Sequence, residues 1–187
     1  GYTLQVVRGQ PPVNIAKWGY KRGAVPWGTQ HHESFQKYYG KQIQIEVCCE
    51  DLPEISNTVT LDPSLKDCHG IPAPKITYQL SDNSRKMLNH GLEQARIALE
   101  TAGAIETYSH GQVRESGWHN MGTARMGLDP NNSVVNEWGQ SHDVKNLFII
   151  DGSVFVTSGA VNPTTTIQAL ALYISDQIKN NITTIIS

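Results

Sequence analysis

Residues 42–49, QIQIEVCC, alternate strictly. Ile43, Ile45 and Val47 fall on one side, and Gln42, Gln44 and Glu46 on the other. Successive side chains of an extended chain point to opposite faces, so this pattern demands a strand with one face buried and one face wet. NTVTL at 57–61 and KITYQL at 75–80 are two further candidate strands. The DPSLKDCHGIPAP between them is turn chemistry, with Asp62-Pro63, Gly70, Pro72 and Pro74. Strands near 42–50, 57–62 and 75–80 are therefore expected to pair antiparallel in one sheet.

A half-buried sheet needs a cover, and the sequence supplies one at 82–102. Leu88, Leu92, Ala95, Leu99 and Ala102 recur at helical spacing. Ser81 or Asp82 can cap the start and Gly103 can end it, while Gly91 is an internal cost. A second helix is expected from Pro163 to about Lys179, with Ile167, Leu170, Ala171, Ile174 and Ile178 as its apolar stripe. Asn162 is its expected N-cap and Pro163 its first helical residue. NLFIID at 146–151 is an apolar run suited to a buried strand. Residues 1–40 read as loop, punctuated by Gly9, Pro11, Pro12, Gly19, Gly23, Pro26, Gly28 and Gly40. Their aromatics, Tyr2, Trp18, Tyr20, Trp27, Phe35, Tyr38 and Tyr39, call for another surface to lie on. The fold class expected is α+β.

Composition narrows the functions available. The 187 residues suit one domain or a piece of something larger. With 39% hydrophobic and 17% charged residues, the chain is neither a disordered acidic segment nor a coiled coil. Fifteen basic and 17 acidic residues give a net charge of −2, with no excess to neutralise phosphates, so no nucleic-acid partner is expected. No apolar stretch approaches the ~20 residues of a membrane span, and the first residues lack a signal-peptide pattern. Cys48 and Cys49 are adjacent and Cys68 stands apart, without zinc spacing, so the three are read as thiols in or beside a strand. His31, His32 and Glu33 invite a metal, but H-E-x-x-H and a third ligand are missing, so no metal is expected. Ser153 and Ser158 lie outside any G-x-S-x-G elbow. His142 beside Asp143 reads as a structural hydrogen bond.

Chemistry concentrates in 117–168. His119 lies in a glycine-punctuated loop, GWHNMGTARMG, where the backbone can approach a ligand closely. Asp151-Gly152-Ser153 closes the apolar run, the kind of strand end at which ligands bind in open α/β sheets. Asn162-Pro163-Thr164 opens a helix, whose free N–H groups and positive dipole end favour an anion or an electron-rich ring.

HNMGTARMG, GQSHDVKNLFIIDGSVF and NPTTTIQALAL, in this order and spacing, resemble the C-terminal region of glucose–methanol–choline (GMC) flavin oxidoreductases. The resemblance is closest to the branch acting on sugars, polyols and sugar acids. WGTQHHESF, EDLP and NTVTLDP extend it over most of 27–180. It implies that His119 is the catalytic base near flavin N5 and that Asn162 hydrogen-bonds the substrate oxygen. It also implies FAD contacts from Asn120, Asp151, Gly152, Asn162, Pro163 and Thr164. Asp151 and Gly152 would lie near the ribityl and pyrophosphate, and Asn162, Pro163 and Thr164 along the flavin ring. Residues 1–142 would be the substrate-binding domain, and 143–187 a strand–loop–helix that completes the FAD-binding domain.

One feature of the family is missing. The G-x-G-x-x-G of an N-terminal βαβ unit, which holds the ADP moiety, does not occur, since 117–127 has the wrong spacing and no preceding strand. The expectation is therefore a C-terminal part that needs an N-terminal FAD-binding domain, neither retaining FAD nor turning over alone, with self-association through exposed apolar surface as a consequence. The rival reading is a non-catalytic binding domain that kept the fold. The retained pair His119 and Asn162 separates the two readings. Substrate identity, the choice between oxygen and a quinone or cytochrome as acceptor, and a periplasmic or cytoplasmic location stay open.

Overall fold

A computed structural model describes residues 1–21, 25–112, 117 and 119–185. Gly23 and Trp118, which the sequence reading used, lie outside them. The order is β1 (Tyr2–Arg8), α1 (Pro12–Lys21), α2 (His31–Tyr38), β2 (Ile43–Cys49), β3 (Thr58–Lys66), β4 (Pro72–Thr77), α3 (Asp82–Thr101), a 3-10 turn (Gly152–Val154) and α4 (Thr164–Ile185). The α+β class stands.

The expected single sheet is two. β1 pairs antiparallel with β2, placing Leu4 opposite Val47 and Val6 opposite Ile45, while β3 pairs only with β4. The segment read as loop at 1–40 supplies the strand that takes the place meant for 57–62. It also supplies two helices. α2 is organised by a ladder of rings at four-residue steps, Trp27–His31–Phe35–Tyr39, with centroids 5.9, 6.3 and 5.4 Å apart.

β3 runs past Asp62-Pro63 because the Asp62 carboxylate accepts the Ser64 and Leu65 N–H groups, making a bulge inside the strand in place of a turn. The chain reverses at 67–71, where Asp67 Oδ1 accepts from His69 and Ile71 N–H. Pro72 and Pro74 are tolerated because β4 is an edge strand. One face of this ribbon carries Val59, Leu61 and Ile76, the last two 70% and 73% exposed.

α3 covers the β1–β2 sheet. Ser81 Oγ caps it by accepting the Ser84 N–H. Its end has Gly103 N–H on Glu100 C=O and Ala104 N–H on Leu99 C=O, the double closure of a Schellman motif. Gly91 faces the sheet, and a Cβ there would lie 2.5 Å from Val47 Cγ1 and 3.3 Å from the Tyr2 ring. The glycine read as an internal cost is what permits the helix to sit this close.

Among the described residues the strand expected at 146–151 forms no ladder. Phe148 makes one bridge to Gln140, and Ile149 N–H reaches Gly139 C=O at 2.7 Å. An apolar run suited to the middle of a sheet has here only a loop beside it. The whole chain exposes 13347 Å². A compact monomer of 20.7 kDa would expose roughly 9,000 Å² by mass scaling.

Candidate active site

The irregular region after α3 is a set of extended segments laid side by side. The loop after His119 runs along the 3-10 turn, donating from Gly122, Ala124 and Met126 N–H to the carbonyls of Gly152, Ser153 and Val154 at 3.3, 2.9 and 2.8 Å. On its other side, Gly127 N–H donates to Val135 C=O and Val134 N–H to Arg125 C=O. Val135 and Val154 are fully buried between these segments. Gly152 lies at the contact of three motifs. A Cβ there would meet Asn120 C=O at 3.1 Å and the Ile167 side chain of α4 at 3.1 Å. The segments carrying His119, Asp151 and Thr164 are thus brought together by main-chain bonds and one close glycine contact.

Within that frame the predicted residues differ in freedom. His119 is half-buried, and Asn120 is exposed. Asp151 Oδ1 accepts from the Ser153 hydroxyl at 2.6 Å and from its N–H at 2.8 Å, capping the 3-10 turn. Those two bonds, the hydroxyl first, hold its carboxyl below the usual range, so Asp151 is an anion whose Oδ2 can accept from a further donor. An anion at this position suits the hydroxyls of a ribityl chain and opposes a phosphate. Gly152 is buried against Asn120, Met121 and Ile167, so its contribution is this packing and not an open cradle.

The expected cap of α4 is displaced by one residue. Pro163 C=O accepts the first helical bond, from Ile167 N–H at 2.9 Å, which makes Pro163 the cap and leaves Asn162 outside the helix. Asn162 is exposed. The capping role that competed with a substrate contact is therefore not filled by Asn162. The first turn of α4 contains no acidic side chain, and Thr164, Thr165 and Thr166 are exposed. Its amides are open to an electron-rich or anionic group, which is what the reduced pyrimidine side of a flavin requires.

His142 is not paired with Asp143. Its Nε2 lies 2.8 Å from Ser133 Oγ, and that hydroxyl donates to Asp129 C=O, so the imidazole donates to Ser133. His31 Nδ1 reaches Pro26 C=O and His32 Nε2 reaches Gln36, and among the described residues no three His, Cys, Asp or Glu side chains are grouped as for a metal ion. Among the described residues no helix is long and apolar enough to cross a membrane. No loop-holding role was legible in the sequence for Thr3, Asp51 or Ser158, which hold the loop before Asn162. Their partners lie up to 157 residues away, beyond the reach of any spacing rule.

The family model described as GMC oxidoreductase matches residues 53–171. The chain is similar to 2-methyl-1,2-propanediol dehydrogenase of Mycolicibacterium austroafricanum, 39% identical over 187 residues, which is 100% of this chain and 34% of that protein. It is also similar to the fructose dehydrogenase large subunit of Gluconobacter japonicus, 31% identical over 155 residues, 83% of this chain and 28% of that protein. The chain thus spans about a third of the length of these relatives. The crystal structure of pyridoxine 4-oxidase from Mesorbium loti shares the fold, with a TM-score of 0.56 and 20% identity over 76% of this chain and 31% of that one.

Proposed function

The chain belongs to the GMC oxidoreductase family, a flavin-dependent family, and from that premise we propose that it is the C-terminal catalytic and substrate-binding part of an FAD-dependent enzyme. The reaction is oxidation of a CH–OH group in a sugar, polyol or sugar acid. What supports this reading most is the packing of the His119 loop and the first turn of α4 against Gly152 in the Asp151 turn.

His119 takes the proton from the substrate hydroxyl. Histidine suits this task because its ordinary pKa lies near neutrality. Asn162 donates its side-chain N–H to the same oxygen as negative charge develops there. The carbon loses its hydrogen with both electrons as the C=O bond forms, so proton and electron pair leave by separate routes. When bound, FAD supplies the acceptor for that pair. Asp151 would accept from the ribityl hydroxyls, Asn120 and Pro163 would help to hold the flavin, and the Thr164 amide at the open end of α4 would stabilise negative charge on it.

The ADP moiety needs a site that a βαβ unit would provide, so residues 143–187 complete a FAD-binding domain whose larger part comes from elsewhere in the polypeptide, with 1–142 as the substrate domain. The excess of exposed area supports this: roughly 4,000 Å² above the mass-scaled value is uncovered surface available to a partner segment. The test is anaerobic mixing of the full-length holoenzyme with a panel of alcohols. Sugars and vicinal diols are expected to bleach the flavin absorbance. Bleaching by amines or thiols alone would contradict the reading.

A further inference from the structure

Asn162 is carried by the segment 156–162, which leads from the 3-10 turn to α4. Among the described residues its side chain makes no capping bond, so its position is inherited from that segment. Two hydroxyl bonds tie the segment to β1 and to the chain just after β2. Ser158 Oγ donates to the main-chain carbonyl of Asp51 at 2.9 Å, and Thr3 Oγ1, on β1, donates to the carbonyl of Ala160 at 2.7 Å. Both bonds are partly buried, and they hold alternate residues of the loop. Displacing Asn162 by a loop movement means breaking one or both.

The anchor is itself fixed. Asp51 follows β2, and its carboxylate accepts from Tyr78 Oη at 2.6 Å and from Ser84 Oγ at 3.0 Å. Ser84, in the first turn of α3, is 1% exposed. Asp51 therefore joins the end of β2, the segment after β4, the start of α3 and the loop of Asn162. The His119 loop is held separately, by its three main-chain bonds to the 3-10 turn. One arm reaches the site through main chain, the other through two side-chain hydroxyls.

We propose that Ser158 and Thr3 are positioning residues for the reaction, setting Asn162 against the His119 loop by pinning 156–162 to β1 and to the chain just after β2. This rests on the reading of Asn162 as donor to the substrate oxygen. The hydroxyls touch neither substrate nor cofactor. Their effect is geometric, and a misplacement of about 1 Å in such a site costs on the order of a hundredfold in rate.

The test uses the full-length holoenzyme with T3V, T3S, S158A, T3V/S158A and N162A. Steady-state kinetics is read beside hydrogen exchange of the amides of 156–162. T3V/S158A is expected to lower kcat by about ten- to a hundredfold with a small change in KM, and to speed exchange in the loop. T3S keeps the bond and is expected to stay near wild type. The pH profile of kcat is expected not to move, because His119 is intact. If the double variant does not fold, S158A alone carries the test, with a loss of about fivefold expected from one hydrogen bond. Loop exchange that speeds while kcat stays within about twofold of wild type overturns the positioning role, because a loosened loop would then leave the reacting geometry intact. T3S failing as badly as T3V also overturns it. If N162A leaves kcat unchanged, the role of Asn162 has failed and the positioning proposal falls with it.

Discussion

At the residue scale, Gly91 decides how closely the sheet is covered. It sits on the inward stripe of α3, where Ser84 and Ala95 are also buried, and the adjoining sheet atoms are Val47 Cγ1 and the Tyr2 ring. Gly91→Ala gains helix propensity of about 1 kcal/mol but forces a methyl group into occupied space, where overpacking costs about 1–3 kcal/mol. The net result expected is destabilisation, read as a lower urea midpoint at unchanged slope. A raised midpoint would show that α3 can lift off the sheet without loss. Gly139 is constrained differently: its φ is +70°, and a Cβ would meet Ile149 C=O at 2.5 Å, so the turn ahead of the 146–151 run closes only with glycine.

At the element scale, the junction around Asp51 gives stability a pH dependence. Burial first, then the hydrogen bond to Asp51, pushes Tyr78 up to about 12. In the unfolded chain a tyrosine ionises at about 10. Between those values the unfolded chain has released a proton that the folded chain keeps. The Tyr78 contribution is therefore complete below pH about 10 and is lost as pH rises through about 12. Urea titrations of wild type and Y78F between neutral and alkaline pH are expected to converge as pH rises. Parallel curves would contradict the assignment.

The same elements show what could be read from sequence. α3, α4 and β2 were legible because each carries a complete period, helical in two and alternating in one. α2 was not, although Trp27, His31, Phe35 and Tyr39 already stand at four-residue spacing; the flanking glycines and Pro26 masked a short helix held by ring contacts. β1 has Tyr2, Leu4 and Val6 in alternation, but Val7 breaks the pattern and Pro11-Pro12 follows closely. The run at 146–151 has a strand's composition without a partner to make it one. Asn162 was placed one residue too far into its helix, because Asn-Pro is a favoured start and only the Ile167–Pro163 bond distinguishes the two registers. The site motifs were visible as motifs. The hydroxyl ties of Thr3 and Ser158 were not, since they join distant parts of the chain.

At the scale of the whole molecule, the exposed area and the unpaired apolar faces belong together. Leu61 and Ile76 on the β3–β4 ribbon, and Leu172 on α4, are more than two-thirds exposed. A two-stranded ribbon is marginal alone and gains its stability from what packs on it. The chain by itself is therefore expected to show no flavin spectrum after purification or after addition of excess FAD, and to associate at high concentration. A stoichiometric bound flavin would mean that these residues hold the cofactor without an ADP-binding unit, and the division of labour proposed above would be wrong.

The claim that His119 is the base is tested most directly by the rate of flavin bleaching when the anaerobic full-length holoenzyme, wild type or His119→Ala, is mixed with a sugar or polyol substrate. Removing the base is expected to slow bleaching by about 10²–10⁴-fold at saturating substrate, with the loss eased as pH rises and the hydroxyl ionises without help. A His119→Ala enzyme that bleaches as fast as wild type would contradict the account.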